Sequence, residues 1–146
     1  MIDINLKLAN QDDFEEIAEI YMEEFSKPPF NEPWTTEKAN KKIKIFSEYC
    51  DIFKIEKENK IIGFIIINPN HWCPGEYIFG EEMAVRKEFQ NQGIGTEVLK
   101  QIFERYKEKG YKKFIGIANL ESKATDLYRK IGISDSKENK VIEKNL

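Results

Sequence analysis

The chain has 146 residues, of which 40% are hydrophobic and 34% are charged, and its formal net charge is −3. This length suits one domain, residues 1–146, that can bury a hydrophobic core without support from disulfides or metals. The nearly balanced charge gives no indication of a nucleic-acid or membrane partner, and no stretch approaches the roughly 18 consecutive apolar residues of a membrane span.

The first eight residues predict a half-buried strand, because apolar and polar residues alternate along them. The apolar positions are Ile2, Ile4, Leu6 and Leu8. This start lacks the continuous apolar stretch of a signal peptide, so we expect a cytoplasmic protein.

Two helices are predicted next. Apolar residues recur every three or four positions between Phe14 and Phe25, and Asn10 or Asp12 is expected to cap this first helix. Three prolines within residues 28–33 then end it. The second helix begins at Thr35 or Thr36. Its buried face is expected to consist of Ala39, Ile43, Phe46 and Tyr49.

The middle of the chain predicts three strands. Residues 51–57 and 61–68 are β-branched and aromatic runs separated by a short polar turn, which is typical of a β-hairpin. A polar loop containing two prolines leads to a third strand over residues 77–85.

The C-terminal part predicts a long amphipathic helix over residues 93–109, a short apolar strand over residues 114–118 and a further helix over residues 122–131. Val141 and Ile142 suggest a last short strand. Elements in this order indicate an α/β or α+β domain that has helices on both faces of a sheet.

A polar turn with two glycines joins the third of the middle strands to the long helix. Gly93 and Gly95 remove side chains where a ligand would approach the backbone, and the first amides of a helix are unpaired donors. Donors of this kind suit a phosphate group. The alternative is that the glycines only let the helix pack closely on the sheet.

Two other phosphate motifs do not fit this turn. A P-loop ends in Gly-Lys-Ser/Thr, whereas Gly95 is followed by Thr96 and Glu97. A dinucleotide fingerprint needs three glycines at fixed offsets, and only two are present. A nucleotide-phosphate enzyme that uses the same turn is kept as a lesser alternative.

The turn resembles the acetyl-coenzyme A signature of the GNAT family of N-acetyltransferases, Gln/Arg-x-x-Gly-x-Gly/Ala. Here the signature is Gln90-x-x-Gly93-x-Gly95, directly after a strand that ends in Met-Ala-Val. The resemblance implies the GNAT fold, which is a mixed, mostly antiparallel central sheet with helices on both faces. It also implies acetyl transfer from acetyl-coenzyme A to an amine.

A second match covers residues 124–133, where Ala-x-x-x-Tyr-x-x-x-Gly-Ile is similar to the family pattern Ala-x-x-x-Tyr-x-x-x-Gly-Phe. The resemblance implies that Tyr128 donates a proton to the departing thiolate of coenzyme A. Without the upstream signature, Tyr128 would be interpreted as a core aromatic residue. The family often has asparagine where this chain has Glu121, and Asn119 is expected to contact the pantetheine arm instead.

The resemblance further implies how the coenzyme is held. Backbone amides of residues 92–96 would bind the pyrophosphate, and the backbones of Met83 and Val85 would pair with the pantetheine arm. The expected coenzyme-binding residues are Met83, Ala84, Val85, Gln90, Asn91, Gln92, Gly93, Ile94, Gly95, Thr96, Asn119 and Tyr128.

The transfer also needs a base. A primary amine has a pKa near ~10 and is protonated at neutral pH, so attack on a thioester requires removal of a proton. Glu81 and Glu82 immediately precede Met83, where several family members have a carboxylate in this role. Strand alternation would turn one of them toward the acceptor, and a β-bulge would reverse the choice. The alternative is that both acids lie at a solvated strand edge.

The acceptor is implied only as a small-molecule or peptide amine. An acidic run on the first helix would favour a cationic acceptor, such as a polyamine, an aminoglycoside or a lysine side chain. Such a run is more often the solvated face of a helix. Its members are Asp12, Asp13, Glu15, Glu16, Glu19, Glu23 and Glu24.

No metal cofactor is expected. His71 and Cys73 share one loop, but two ligands fall short of the three or four that a zinc site needs. Cys50 and Cys73 are expected to be reduced thiols.

Two classes of function stay open at this point. The first is an acetyl-coenzyme A-dependent N-acetyltransferase, and the second is a catalytically silent sensor that binds acyl-coenzyme A. The presence of Tyr128 and of acids at both Glu81 and Glu82 favours the enzyme. A homodimer is implied by the resemblance, because many members of this fold pair through sheet edges or helices.

Overall fold

The computed structural model describes residues 2–146, which form five strands and four helices. The strands are β1 (Asn5–Leu8), β2 (Asp51–Lys57), β3 (Lys60–Asn68), β4 (Tyr77–Val85) and β5 (Lys113–Gly116). The helices are α1 (Phe14–Phe25), α2 (Thr36–Tyr49), α3 (Ile94–Glu108) and α4 (Ala124–Lys130). Within this part of the chain, no helix has the length and apolar character needed to cross a membrane.

The strands form one sheet in the order β1-β2-β3-β4-β5. The first three pairings are antiparallel and the pairing of β4 with β5 is parallel. The predicted hairpin is β2 and β3. The mixed, mostly antiparallel sheet that the sequence resemblance implies is therefore confirmed.

Each face of the sheet is covered by helices. Helices α1 and α2 pack on the face that carries Phe64 and Ile66 of β3. Helix α3, with α4 beside it, packs on the opposite face against Ile65 and Ile67. Because both faces are covered, residues 62–68 of β3 are all buried, which explains its nearly continuous apolar sequence.

Local sequence signals start the first two helices. Asn10 and Asp13 form a capping box ahead of α1, in which each side chain accepts a hydrogen bond from the other residue's backbone N–H. The hydroxyl of Thr35 accepts a hydrogen bond from the backbone N–H of Lys38 and so caps α2. Of the caps that the sequence left open, Asn10 and Thr35 are the ones used.

Three predictions from the apolar pattern are wrong. Leu8 and Tyr49 are exposed, because each lies at the end of its element, beyond the reach of the core. Val141 and Ile142 form no strand and are 65% and 82% exposed. Two apolar residues between charged neighbours bury too little surface to offset the entropy of ordering a strand.

Candidate active site

The parallel strands β4 and β5 separate halfway along β4. Their pairing ends where Gly80 lies opposite Gly116. Residues 81–85 of β4 continue with β3 on one side and no described strand on the other. This leaves an open strand edge in the middle of the sheet.

The backbone groups of Met83 and Val85 face this opening. The N–H of Arg86 donates to the carbonyl oxygen of Ile62 in β3, at 2.8 Å. In an antiparallel ladder, the backbone N–H and C=O groups of successive residues point alternately toward and away from the partner strand. The backbone groups of Ala84 therefore also point toward β3. Met83 and Val85 consequently turn their N–H and C=O groups away from β3, toward the gap.

A tight turn carries the chain from this edge into α3. Asn91 and Gly93 adopt positive φ angles of 60° and 81°. Gly93 is the N-cap residue, and its carbonyl accepts the first helical hydrogen bond, from the N–H of Glu97. The N–H groups of residues 94–96 find no acceptor among residues 2–146. Three free donors at the positive end of a helix dipole make a site for a phosphate.

The two signature glycines differ in what the fold requires of them. A Cβ on Gly93 would lie 2.9 Å from Cδ1 of Ile2, in a backbone conformation that disfavours side chains. A Cβ on Gly95 would make ordinary contacts, at 3.6 Å from Leu127 and 3.7 Å from Met83. The positive φ therefore explains Gly93 without a ligand, whereas neither backbone conformation nor packing gives a reason for a glycine at position 95.

The glutamines of the turn stabilise its shape. The side-chain amide of Gln90 donates to the carbonyl oxygen of Val85 at 2.7 Å and to Oε1 of Glu24 at 2.6 Å. The side chain of Gln92 donates to the carbonyl oxygen of Glu88 at 3.2 Å. The carbonyl oxygen of Val85 thus already accepts one hydrogen bond, and the N–H of Val85, which is turned toward the gap, can pair with a ligand.

A β-bulge decides where the two glutamates point. Ile66 of β3 lies opposite Glu82, and the next residue, Ile67, lies opposite Gly80, so Glu81 has no partner. The extra residue turns both carboxylates to the face that α1 and α2 cover. Strand alternation predicted that only one of the two side chains would point toward the acceptor. Because of the bulge, both point to the same face of the sheet.

The two carboxylates are nevertheless held differently. The side-chain amide of Asn68 donates to Oε1 of Glu81, and the hydroxyl of Tyr21 donates to Oε1 of Glu82, both at 3.3 Å. Burial raises the pKa of Glu82 to about 7. That value already includes the hydrogen bond from Tyr21 and the charge of Lys42, which lower the pKa, and the charges of Glu32 and Glu81, which raise it. Glu82 is thus a carboxyl group that changes charge near neutral pH.

Tyr128 lies on α4, on the other side of the gap. It is half-buried at the edge of the core that α3 covers. Burial and the nearby charge of Glu82 raise its pKa, so its hydroxyl keeps its proton at neutral pH. The influence of Glu82 on Tyr128 shows that the fold places these two residues, which are distant in the sequence, within electrostatic range of each other.

Asn119 lies between β5 and α4 and is used locally. Its side-chain oxygen accepts the backbone N–H of Glu121 at 2.8 Å, and its carbonyl accepts the N–H of Ser122. Asn119 therefore shapes the turn that leads into α4. Its side-chain N–H₂ group is left for a ligand.

Tyr21 is the site residue that the sequence did not single out. It belongs to the predicted apolar stripe of α1, where a tyrosine is an ordinary core residue. Only its polar tip distinguishes it from Phe25 on the same stripe, and its partner Glu82 is 61 residues away.

Much of the acidic run on α1 has structural partners. Glu16 and Glu23 form ion pairs with Arg86. Asp13 pairs with Lys54, and Glu24 contacts Lys27 as well as Gln90. These acids connect α1 to the sheet and to the turn. Because their charges already have partners within the protein, they give weaker support for a cationic acceptor.

The loop with His71 and Cys73 is aromatic in character. The ring of His71 stacks on Phe79, with centroids 4.1 Å apart and planes inclined by 21°. Among the described residues, no three His, Cys, Asp or Glu side chains are grouped to hold a metal ion. Cys50 and Cys73 are free thiols.

The open edge of β4 and the start of α3 lie next to each other, since Gly95 approaches both Met83 and Leu127. The free N–H groups at the start of α3, which suit an anion, and the open edge of β4, which suits an amide-containing arm, therefore lie in one groove. These groups fit a ligand that carries both a phosphate and a peptide-like chain. Glu82, whose pKa is about 7, and Tyr128, whose hydroxyl is protonated at neutral pH, lie beside the same gap.

Comparison with known families gives one match that covers most of the chain. The model of the acetyltransferase (GNAT) family matches residues 14–133. A thialysine N-epsilon-acetyltransferase from Sus scrofa is 34% identical over 62 residues, which are 42% of this chain and 36% of the relative. The enzyme of the same name from Bos taurus is 31% identical over 62 residues. The match spans little more than a third of the length of these relatives.

Solved structures share the fold. A possible acetyltransferase from Clostridium difficile 630 superposes with a TM-score of 0.81 at 15% identity, covering 98% of both chains. The aminoglycoside N-acetyltransferase AAC(6')-Iy, solved in complex with CoA, gives a TM-score of 0.74 at 12% identity, covering 99% of this chain and 96% of that one. At these identities the likeness is one of fold.

Proposed function

This chain belongs to the GNAT family of acetyltransferases, and on that premise we propose that it transfers an acetyl group from acetyl-coenzyme A to a primary amine. The observation that carries the proposal is the gap beside β4. It combines an unpaired strand edge, free amides at the start of α3, a carboxyl group with a pKa near 7 and a protonated tyrosine.

The coenzyme would be held by backbone groups. The amides of residues 94–96 suit its pyrophosphate, and the N–H of Val85 with the backbone of Met83 suits the amides of its pantetheine arm. When bound, acetyl-coenzyme A supplies an acetyl group activated as a thioester. Asn119 offers a side-chain donor near the same arm.

Glu82 is the proposed base. A carboxyl group with a pKa of about 7 is partly ionised at neutral pH, so it can accept a proton from the ammonium group of the acceptor. The neutral amine then attacks the acetyl carbonyl carbon. Because Glu82 must be ionised, activity is expected to rise with pH through about 7.

Tyr128 is the proposed acid. Its hydroxyl stays protonated because burial and Glu82 raise its pKa. As the carbon–sulfur bond breaks, Tyr128 donates its proton to the departing sulfur, and the attacking nitrogen loses its second proton, which reprotonates Tyr128 through solvent; the products are an amide and a free thiol. The proton accepted by Glu82 returns to solvent.

The acceptor is proposed as a small-molecule or peptide amine. Relatives named for thialysine and a fold neighbour named for aminoglycosides both make cationic amines the first compounds to test. The face that carries Glu81 and Glu82, with Glu32 nearby, supports the same class by its negative charge.

The test is thiol release from acetyl-coenzyme A with a panel of lysine analogues, aminoglycosides, polyamines and peptides. Tyr128→Phe and Glu82→Gln are expected to lower turnover by about 10²-fold each with little change in coenzyme A affinity. Tight coenzyme A binding without turnover for any amine would instead support a silent acyl-coenzyme A sensor. Absence of coenzyme A binding would overturn the proposal.

A further inference from the structure

Tyr21 makes a polar contact from the centre of an apolar core. Its side chain is only 2% exposed, and its hydroxyl donates to Oε1 of Glu82 at 3.3 Å. Burial raises the pKa of Tyr21 well above its usual value, so the hydroxyl stays protonated and can donate a hydrogen bond at neutral pH and well above it. The contact joins α1 to the bulge of β4.

The position of this hydroxyl is set by aromatic packing. The ring of Tyr21 lies 4.6 Å from Trp34 in an edge contact and 4.8 Å from Phe25. It also stacks on Phe64 of β3, with centroids 5.8 Å apart and planes 14° apart. Helix α1, the loop before α2 and the sheet therefore hold the ring from three directions, independently of Glu82.

We propose that Tyr21 is a positioning residue for the reaction: its hydroxyl holds Oε1 of Glu82 and leaves Oε2 directed to the proton of the acceptor amine. This inference rests on the proposed role of Glu82 as the base. Tyr21 itself does not touch the reacting atoms.

The groups around Glu82 explain why the contact matters. Glu32, in the loop between α1 and α2, and Glu81, on β4, oppose its ionisation together with burial. Lys42 on α2 and the hydroxyl of Tyr21 favour it. Tyr128 on α4 is near enough for the charge of Glu82 to raise its pKa. Removing the hydroxyl deletes one of the two groups that favour the carboxylate, so the pKa of Glu82 rises and less of it is ionised at pH 7.

A matched control exists on the opposite face of the sheet. Tyr106 of α3 is also 2% exposed, and its hydroxyl donates to Oδ2 of Asp51. Tyr106→Phe removes a buried tyrosine–carboxylate hydrogen bond without touching Glu82. A loss of turnover that both variants share is therefore attributed to lower stability. A loss confined to Tyr21→Phe is attributed to the missing hydrogen bond to Glu82.

The experiment compares Tyr21→Phe and Tyr106→Phe in the full chain. The pKa of Glu82 is first measured without coenzyme, by NMR titration of ¹³C-labelled glutamate carboxyls, with Glu82→Gln to assign the signal. It is expected to be higher in Tyr21→Phe than in the wild type and unchanged in Tyr106→Phe. In the pH profile, kcat/KM of Tyr21→Phe is expected to be roughly three- to tenfold lower at pH 6.5; the deficit narrows above pH 9, where Glu82 is ionised in both proteins and only the loss of orientation remains.

The outcomes separate this inference from the proposed function. An unchanged Glu82 titration in Tyr21→Phe, with turnover lost in Glu82→Gln, overturns the role of Tyr21 and leaves the base in place. Full turnover in Glu82→Gln overturns the base and the role of Tyr21 with it. Should Tyr21→Phe not fold, replacement of Tyr21 alone by 3-fluorotyrosine tests the same contact, since a more acidic phenol is a stronger donor and must lower the pKa of Glu82.

Discussion

At the scale of the residue, Glu82 shows how a group suited to catalysis costs stability. Burial raises its pKa from the ordinary 4.5 to about 7. Between these two values the folded chain binds more protons than the unfolded chain, so the free energy of unfolding falls as pH rises through this window. Above pH 7 the penalty is constant, because Glu82 is ionised in both states.

Glu82→Gln is therefore expected to stabilise the protein in neutral and alkaline solution. The glutamine keeps an oxygen that can accept the hydroxyl of Tyr21, and it carries no charge to bury. The gain over the wild type should be small at pH 5 and reach at most about 3 kcal/mol at pH 8. Urea unfolding of both proteins at the two pH values measures it. A variant no more stable than the wild type at pH 8 would contradict a buried, costly carboxylate.

At the scale of the element, two helices end in the same way. Gly110 after α3 and Gly132 after α4 have φ angles of 93° and 86°. In each case the glycine N–H and the next N–H turn back onto the last helical turn, as in a Schellman motif. At α4 the second of these bonds runs from Ile133 to the carbonyl oxygen of Tyr128. The Gly-Ile ending of the second sequence match thus fixes the helix turn that carries Tyr128.

Gly132→Ala and Gly110→Ala are expected to cost about 1–2 kcal/mol each in the free energy of unfolding, since both place a Cβ in the left-handed region with nothing else nearby. Only Gly132→Ala should also lower amine-dependent thiol release, because it disturbs the backbone at Tyr128. Urea unfolding and turnover are measured for both variants. Equal losses of turnover would show that the ending of α4 has no special role.

In the molecule as a whole, the expected site residues line the open edge of β4 and not the cavity beside α3. A cavity of about 900 Å³ lies between α3, β5 and residues 131–139, and none of the expected site residues lines it. Arg86 instead ties the site to the fold, since it contacts the carbonyl oxygen of Ile61 and the carboxylates of Glu16 and Glu23 on α1. The exposed tail beyond Asn139 lines neither the expected site nor this cavity.

Truncation after Lys140 is expected to change the free energy of unfolding by less than about 0.5 kcal/mol and to leave coenzyme A affinity unaltered. Truncation after Gly132 is the control, because it removes Ile133 and with it the bond to Tyr128. Thermal unfolding and coenzyme A titration compare the two. A large loss from the shorter deletion would mean that Val141 and Ile142 are buried in solution by a partner.

Local signals in the sequence were enough to predict the elements and the glycine turn that precedes α3. Periods of two and of three to four residues placed β1 to β5 and α1 to α4 close to their observed bounds, and Gly93 and Gly95 marked the start of α3. The wrong predictions concern the ends of elements and the C-terminal tail, where burial depends on tertiary packing. They are the burial of Leu8 and Tyr49 and the strand at Val141 and Ile142.

The difference between the two glutamates could not be predicted from the sequence, because it depends on tertiary contacts. The bulge opposite Ile66 and Ile67 turns Glu81 and Glu82 to one face, and Tyr21 then contacts Glu82 alone of the pair. A strand register and a contact across 61 residues leave no trace in local periodicity. They arise because packing on both faces of β3 fixes which backbone groups pair and which side chains meet.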